Sequence, residues 1–352
     1  MVTFVNVMTN VSEFDKWQAP LQLFRGEITM PGSKILASAH YVPSDIVTND
    51  DLAEIMDTSD DWIQSHTGIK TRHISLQGEN TSDLATKAAE RALAKTSLTA
   101  ADIDLIIVTT FTPDGLAPST AALVQRNLKA DNAWAYDIMT ACAGFVFGLS
   151  TADKFMRSGM YRNALVISAE VNSKMMDFTD RTSTVFFGDG AGAVVLTAVA
   201  QDGVVVGEKM HTIGDADVVH SGRIAPLKTL SADNYPKIDA FSQMGRAVFD
   251  EVTTRIPQHI RHFLAGHGLT PADVDYFIPH QANLRLIEYI ANALDEPMAK
   301  FATNVVHNGN TSSAGIAIGL DELNQTVDLT GKRVLLTGFG AGFTYGSLLL
   351  EF

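Results

Sequence analysis

The 352-residue sequence contains a single cysteine, Cys142. A disulfide within the chain needs two cysteines and a cysteine-rich zinc site needs more, so both are excluded. A lone thiol suits a reducing compartment, which predicts a cytoplasmic protein. Without context, one cysteine is expected to be a small buried hydrophobic residue, so a chemical role for Cys142 has to be argued from its neighbours.

Basic residues are also scarce, with 26 Lys and Arg against 40 Asp and Glu, and the formal net charge is −14. This charge repels phosphate backbones and anionic lipids, so neither nucleic acid nor a membrane surface is expected as a partner. No apolar run reaches the ~20 residues that span a bilayer. Residues 1–33 carry charges among short apolar pieces and lack the apolar core of a signal peptide, so we interpret them as an N-terminal extension.

An internal repeat is the main organisational feature of the chain. Residues 99–110 (TAADIDLIIVTT) and 270–281 (TPADVDYFIPHQ) stand 171 positions apart, and the same offset pairs AGFVFGL at 143–149 with AGIAIGL at 314–320. Fragments that recur in one order at one offset indicate two copies of the same fold. Apolar strands that alternate with helices predict an α/β protein with helix-covered sheets.

We place the two copies at residues 34–200 and 201–352. In each copy an amphipathic helix precedes an apolar strand, a helix of small residues and a second apolar strand. The predicted helices and strands with clear bounds are the helices at 84–94 and 252–264 and the strands at 105–109, 165–168, 276–278 and 334–337.

Cys142 lies between a predicted strand at residues 136–139 and a predicted helix, in DIMTACAGFVFGLSTADKF. The unpaired N–H groups and the dipole at the start of that helix favour a thiolate. Ala141, Ala143 and Gly144 are small, so a substrate can approach the backbone closely. This context indicates a nucleophile and not a buried hydrophobic residue.

Two polar residues of the second copy occupy similar junctions between a strand and a helix. His280 follows a strand in PHQAN, and Asn310 lies in HNGNTSSAG, in the turn that the repeat places opposite Cys142. Taken singly, a histidine at a strand end is more often structural, and an asparagine beside a glycine is more often a turn residue. The duplication favours a shared site, because it puts these junctions at the same end of both copies.

The glycine-rich stretch GFGAGFTYG at 338–346 is not a dinucleotide fingerprint, since an apolar strand and not a helix follows it. It is interpreted as a hairpin turn, as a loop whose N–H groups approach a substrate oxygen, or as both. FGDGAG at 187–192 is interpreted as the equivalent structural loop of the first copy.

Seven motifs together resemble β-ketoacyl-[acyl-carrier-protein] synthase III, the condensing enzyme that initiates fatty-acid synthesis. The match covers residues 34–352. The motifs are DTSDDWI at 57–63, TGIKTRHI at 67–74, TACAGF at 140–145, FGDGAGAVVL at 187–196, PHQANLR at 279–285, GNTS at 309–312 and GFGAGFT at 338–344.

The resemblance implies a thiolase fold with five αβαβα layers, a homodimer and a reaction that needs no metal or redox cofactor. It implies that Cys142 accepts an acyl group from acyl-CoA, with the N–H groups of Cys142 and Ala341 as the oxyanion hole. Malonyl-[acyl-carrier protein] would then lose carbon dioxide while His280 and Asn310 hold its thioester oxygen, and the carbanion would attack the acyl group to give a 3-oxoacyl thioester.

The resemblance also implies substrate contacts outside the catalytic set. Trp62 and Arg181 would hold the adenine end of CoA, Asn283 would line the pantetheine tunnel, and Arg285 would contact the carrier protein. Trp62 is alternatively a core aromatic, and the two arginines are alternatively solvated surface charges.

The chain departs from the family pattern at three places. His66 stands where many relatives have an arginine beside the adenine. Ala117 stands near a pocket-closing position that is often Phe, which predicts a roomier acyl pocket. The third departure is at Asp250, Asn292 and Ala293, which stand where some relatives carry lysines that dock the acidic carrier protein.

Two other functions fit the sequence. The first is an acyltransferase or starter enzyme of secondary metabolism with the same fold, although the presence of both His280 and Asn310 favours condensation. The second is a non-catalytic subunit of a synthase complex, which would tolerate loss of Cys142, whereas the cysteine is present in its full motif.

Overall fold

The computed structural model describes residues 31–201, 203–215, 217–222 and 240–352. Residues 1–30, which make up most of the predicted N-terminal extension, lie outside the described residues.

Strands begin and end as follows in chain order: β1 (Gly32–Tyr41), β2 (Asp45–Thr48), β3 (Thr71–Ile74), β4 (Leu105–Thr109), β5 (Trp134–Ile138), β6 (Asn163–Glu170), β7 (Gly190–Val199), β8 (Val205–Asp215), β9 (Val219–His220), β10 (Ser242–Gln243), β11 (Tyr276–Pro279), β12 (Arg333–Gly340) and β13 (Gly342–Glu351).

The α-helices are α1 (Asn49–Ala53), α2 (Asp60–Thr67), α3 (Thr81–Leu93), α4 (Thr120–Leu128), α5 (Gly144–Arg157), α6 (Arg181–Thr184), α7 (Gly245–Gly266), α8 (Leu284–Leu294), α9 (Val305–Asn308) and α10 (Ala314–Thr326). The predicted helix at 84–94 is α3, and the one at 252–264 lies within the longer α7. The strand predicted at 136–139 is β5, which begins and ends slightly earlier.

The two large sheets repeat one topology. In the first sheet β4 and β6 are parallel, and β7 and β1 follow antiparallel, in the order β5-β4-β6-β7-β1. In the second sheet β11 and β12 are parallel, and β13 and β8 follow antiparallel, in the order β11-β12-β13-β8. Order and direction therefore match the repeat in the sequence, with β5 as an additional edge strand. The division at residues 200 and 201 stays a prediction.

Alternate residues of β4 point into two different cores, as the period of two in a strand requires. Ile106 and Val108 pack with α3, whereas Leu105 and Ile107 pack with α5 and α10, which lie between the two sheets. A third apolar cluster joins the second sheet to α7 and α8. The layers are thus helices, sheet, helices, sheet and helices, which confirms the predicted αβαβα architecture.

The register of the first sheet aligns the strand ends that carry the candidate site. Thr109 of β4 pairs with Ile138 of β5 and with Ser168 of β6. Cys142 and Glu170 come shortly after these paired positions, so parallel pairing brings them to the same end of the sheet, where the three strands finish. Among the helices described, none combines the length and the hydropathy needed to traverse a bilayer.

Candidate active site

Cys142 lies in a single 3₁₀ turn, Ala141–Ala143, between β5 and α5. Ala141 has a φ of 45°, in the left-handed region that non-glycine residues rarely adopt, so the turn is strained. A Cβ at Gly144 would come within 3.0 Å of the Cβ atoms of both Ser313 and Thr109. A residue without a side chain is therefore needed where α5 begins, and this lets α10 approach the cysteine.

Burial acts against ionisation of the Cys142 thiol. It raises the pKa of the thiol to about 12, a hydrogen bond from Ser312 opposes the increase, and the negative charge of Glu170 adds to it. Desolvation and the start of α5 therefore act on the thiol in opposite directions, and the thiolate stays a prediction. The residue as a whole remains partly accessible to solvent.

The glycine-rich stretch is a tight hairpin between β12 and β13, with Ala341 at its tip. A Cβ at Gly340 would lie 2.8 Å from the backbone nitrogen of Cys142, and a Cβ at Gly338 would lie 2.8 Å from Cα of Ala143. The hairpin backbone thus packs directly on the turn of the nucleophile. Both interpretations of this stretch are compatible with that geometry.

His280 follows β11 and is buried, with its backbone N–H bonded to the carbonyl oxygen of Thr337 at 2.8 Å. Its ring lies edge-on to Phe339, with the centroids 5.1 Å apart, and its Nδ1 has no hydrogen-bond partner among the described residues. Burial lowers the pKa of His280 to about 3, against a smaller opposing effect of the Ser312 backbone. The imidazole is therefore neutral near pH 7.

Asn310 is held by its backbone and by its side-chain oxygen. Its N–H donates to the carbonyl oxygen of Phe186 at 2.8 Å, and its carbonyl oxygen accepts from Gly188 N–H at 3.1 Å. The side-chain Oδ1 accepts from the N–H of Ser312 at 2.8 Å. The amide NH₂ makes no hydrogen bond within the described part of the chain, so it is free to donate.

The FGDGAG loop has a definite part in this arrangement. A Cβ at Gly188 would overlap the carbonyl oxygen of Asn308, so this glycine allows the loop to lie against the turn of Asn310. Arg72 is buried behind it and donates to the carbonyl oxygen of Val185 at 3.0 Å. The structural interpretation of this loop is consistent with these contacts, but its link to Asn310 crosses the two copies and has no signal in the sequence.

Ser312 is the residue that the sequence interpretation missed. Its hydroxyl donates to Sγ of Cys142 at 3.1 Å and its N–H donates to Asn310. Its φ is 51°, a second left-handed residue at this site. Ser312 lies inside the GNTS motif, where a serine is normally interpreted as a turn residue. Its contact with Cys142 depends on how the two copies pack, which the sequence does not show.

Comparison with known proteins places this geometry in a family. Models described as 3-oxoacyl-[acyl-carrier-protein] synthase III and as its C-terminal part match residues 136–214 and 264–352. A β-ketoacyl-[acyl-carrier-protein] synthase III 1 of Lactiplantibacillus plantarum is 57% identical over 321 residues, which is 91% of this chain and 98% of the relative. The chain belongs to the β-ketoacyl-[acyl-carrier-protein] synthase III family.

Solved structures agree with this placement. The synthase III of Aquifex aeolicus superposes with a TM-score of 0.83 at 39% identity, and the match covers 91% of this chain and 100% of the Aquifex aeolicus chain. The priming β-ketosynthase of the R1128 polyketide pathway has a TM-score of 0.83 at 32% identity, over 91% of this chain and 96% of its own. The predicted thiolase fold is confirmed, and the chain is a condensing enzyme of the acyltransferase class.

The predicted adenine site of this synthase III contains three side chains in contact. The rings of Trp62 and His66 stack with centroids 4.4 Å apart, and the guanidinium of Arg181 lies 5.3 Å from the Trp62 centroid. Arg181 also donates to the carbonyl oxygen of Asp57 at 2.5 Å. Trp62 packs against the second-sheet core while staying partly exposed, so it is neither a fully buried core aromatic nor a free surface ring.

Asn283 and Arg285 both have structural contacts. Asn283 caps α8, with its Oδ1 accepting from Leu286 N–H at 2.9 Å. Arg285 donates to the carbonyl oxygens of Gln64 at 2.9 Å and Ser65 at 3.1 Å, and it pairs with Glu288 at 2.9 Å. The guanidinium therefore joins α8 to the end of α2, and a carrier protein would have to compete for a group that is already engaged.

Ala117 lies in the segment between β4 and α4 and is exposed, as is its neighbour Leu116, whose exposed fraction is 78%. The structure therefore buries neither side chain against the cysteine turn. In the described residues, no group of three or more His, Cys, Asp or Glu side chains is arranged to hold a metal ion.

Proposed function

We propose that this synthase catalyses the decarboxylative Claisen condensation of an acyl-CoA primer with malonyl-[acyl-carrier protein], the step that initiates fatty-acid synthesis. The observation that carries the proposal is the convergence of two turns from the two copies. One turn carries the thiol of Cys142, and the other carries Asn310 and contacts that thiol through Ser312.

In the first half-reaction the sulfur of Cys142 attacks the thioester carbon of acyl-CoA. The carbon–sulfur bond to CoA breaks, and the thiol proton of Cys142 ends on the CoA sulfur, so free CoA thiol leaves. The developing oxyanion would be held by the N–H groups of Cys142 and Ala341, which is supported by the packing of Gly340 against the Cys142 nitrogen.

In the second half-reaction the malonyl carboxylate leaves as carbon dioxide, and its bonding electrons pass into an enolate. Enolate charge at the thioester oxygen is stabilised by donors that are themselves neutral, since a cation would hold the ground-state carboxylate as well. A neutral His280 and the unpaired amide NH₂ of Asn310 support this assignment. The carbanion then attacks the acyl carbonyl, and the sulfur of Cys142 leaves as a thiolate that takes up a proton from solvent, which restores the thiol and releases the 3-oxoacyl product.

We assign the adenine end of CoA to Trp62 and Arg181 and the pantetheine arm to the region of Asn283. His66 covers part of the Trp62 ring, so adenine would replace this stacking contact. Carrier-protein contact at Arg285 would use the side of the guanidinium that is still exposed, 41% of its side chain.

We also propose a homodimer formed along β5. This strand is the edge of the first sheet, and unpaired edges invite pairing. Exposed apolar side chains accompany it, including Trp134 and Met139 with exposed fractions of 47% and 71%, and Met160 at 74%. Exposed apolar side chains beside a free strand edge support an interface at this place. Sedimentation of the full chain tests this, and a monomer at micromolar concentration would contradict it.

The direct test of the function is conversion of acyl-CoA and malonyl-[acyl-carrier protein] to product with release of carbon dioxide. Cys142→Ser should abolish both acyl loading and condensation, because a serine hydroxyl has no general base here and stays protonated. Acyl loading without release of carbon dioxide would indicate an acyltransferase. A starter enzyme of secondary metabolism is less favoured, since the polyketide priming synthase is 32% identical and the Lactiplantibacillus plantarum synthase is 57% identical.

A further inference from the structure

Glu170 is a fully buried carboxylate at the end of β6, and the condensation mechanism does not use it. The parallel strands β4, β5 and β6 end together, so Glu170 lies at the edge of the sheet from which the Cys142 turn begins. Burial of a carboxylate costs free energy unless its oxygens accept hydrogen bonds. The donors around Glu170 therefore indicate which parts of the structure it holds in place.

Five donors reach the two carboxylate oxygens of Glu170. Oε1 accepts from the hydroxyl of Ser313 at 2.6 Å and from Phe111 N–H at 3.3 Å. Oε2 accepts from the hydroxyl of Thr110 at 2.9 Å and from both the N–H and the hydroxyl of Thr112, at 3.1 and 2.6 Å. The carboxylate thus joins the segment after β4 to the first turn of α10.

We propose that Glu170 is a positioning residue for the nucleophile: it fixes Ser313, and through it the adjacent Ser312 that contacts Cys142. The inference rests on the proposed role of Cys142 as the nucleophile. It adds a residue outside the three catalytic side chains, and variants of that residue separate its effect on geometry from the effect of its charge.

The geometric effect follows from packing around Gly144. Ser313 lies so close to Gly144 that a Cβ there would come within 3.0 Å of the Ser313 Cβ. A small displacement of Ser313 therefore moves α10 relative to α5 and moves Ser312 relative to Cys142. The hydrogen bond from Ser313 to Glu170, at 2.6 Å, opposes that displacement.

The charge effect follows from the titratable groups around the site. Burial raises the pKa of Glu170 to about 7, so it is partly ionised at neutral pH, and its negative charge in turn raises the pKa of Cys142. Lys174 is the nearby cation, and burial lowers its pKa. It is fixed by Asn80 and by the carbonyl oxygen of Pro113, and Asp114 and Asp189 act on it as well as Glu170.

The single cysteine makes the charge effect measurable without turnover, since alkylation by iodoacetamide reports on Cys142 alone. Glu170→Gln removes the charge and keeps the shape. At pH 7 the parent already holds a large share of Glu170 in its uncharged acid form, so alkylation should become at most about twofold faster. At pH 9 the parent carboxylate is charged, and alkylation of Glu170→Gln should be about tenfold faster than that of the parent, the change that one pKa unit gives. Glu208→Gln is the matched control, because Glu208 also accepts a serine hydroxyl, that of Ser150 on α5, at 2.6 Å.

The geometric effect is tested with Glu170→Asp, which keeps the charge and withdraws the carboxylate from Ser313. Its alkylation at pH 8 should slow about threefold or more, because a displaced Ser312 no longer holds its hydrogen bond to Sγ of Cys142, and condensation should slow about tenfold or more. Parental rates of alkylation and condensation in folded Glu170→Asp would overturn the proposal. If Glu170→Gln does not fold, the aspartate variant decides the matter. Failure of the condensing function itself would instead appear as an inactive parent with normal alkylation.

Discussion

The hydroxyl of Ser312 donates a hydrogen bond to Sγ of Cys142 across 3.1 Å, and this bond joins the two copies of the fold at the nucleophile. Cys142 follows β5 of the first sheet, whereas Ser312 precedes α10 of the second copy. Both turns contain a residue with a left-handed backbone, Ala141 and Ser312, and such strain persists only where the surrounding structure imposes it. The site therefore depends on the relative placement of two turns that are 170 residues apart.

Removal of this hydroxyl should weaken the nucleophile. In Ser312→Ala the pKa of Cys142 should rise further, because the bond from Ser312 is the main contribution that lowers it. A hydrogen bond to a charged group is worth roughly 1.5–3 kcal/mol, so alkylation by iodoacetamide at pH 8 should slow about tenfold or more. The control is Ser150→Ala, in which Cys142 should be alkylated at the parental rate, because Ser150 lies farther along α5, the helix that follows the cysteine turn. An unchanged rate in Ser312→Ala would show that the contact has no effect on the thiolate.

The two half-reactions should separate at Asn310. Asn310→Ala should leave acylation of Cys142 nearly intact and should slow decarboxylation of malonyl-[acyl-carrier protein] on the order of 10²–10³-fold, the usual effect of losing one donor to an oxyanion. Burst acylation with labelled acyl-CoA and release of labelled carbon dioxide measure the two steps independently. If both steps slow equally, the side chain serves the local backbone through Ser312 N–H and not the enolate.

The sequence predicts the fold well because its signals are local or repeated. The run Leu105–Thr109 is continuously apolar, and the structure buries every residue of it. The repeat offset predicts that Asn310 lies opposite Cys142, and Ser312 connects the two residues. These features need only periodicity and one duplication.

The remaining parts of the site depend on packing between the copies, which no local pattern encodes. Arg72 lies fully buried behind the Asn310 turn. The sequence does not predict this, because the polar residues of TGIKTRHI are typical of a strand at the surface. A thiolate at Cys142 was predicted from the start of its helix, whereas burial and the charge of Glu170, which the sequence does not show, raise the pKa of the thiol. Arg285 was predicted from its motif, which gives no sign of its bonds to α2.

Acid sensitivity should arise in part from His259, a buried residue of α7. His259 is buried against Phe263 and Tyr345, its Nε2 has no partner within the described residues, and burial lowers its pKa from 6.5 to about 4. The unfolded chain binds this proton from about pH 6.5 downward, while the folded chain does not until about pH 4. The unfolded state is therefore favoured as the pH falls through that window, by roughly 3 kcal/mol in total.

His259→Phe should remove this contribution while it keeps the aromatic packing. The free energy of unfolding, measured by urea titration, should fall less steeply between pH 7 and pH 4 in the variant than in the parent. His307→Gln provides the control, since His307 is exposed and is not among the groups that act on the pKa of His259. Equal slopes in the parent and in His259→Phe would contradict the assignment.

The choice of primer should depend on the segment that contains Ala117. We expect this segment to reach the acyl pocket across the proposed dimer interface, and its exposure agrees with such a role. A Phe at this position would fill the end of the pocket, whereas Ala117 leaves room. Each buried methylene is worth about 0.8 kcal/mol, so the parent should accept primers that are longer or more branched than acetyl, and Ala117→Phe should shift the preference toward acetyl-CoA.

Leu116 provides the discriminating comparison, because it is the neighbouring side chain and is 78% exposed in the protomer. If Leu116 caps the pocket, Leu116→Ala should widen the primer range and Ala117→Phe should have little effect. If Ala117 caps the pocket, only Ala117→Phe should narrow the range of primers. Rates of condensation with acetyl-, isobutyryl- and hexanoyl-CoA for the parent and both variants separate these outcomes. A parent restricted to acetyl-CoA, with neither substitution changing the ratio of rates, would show that the backbone closes the pocket and that this segment does not select the primer.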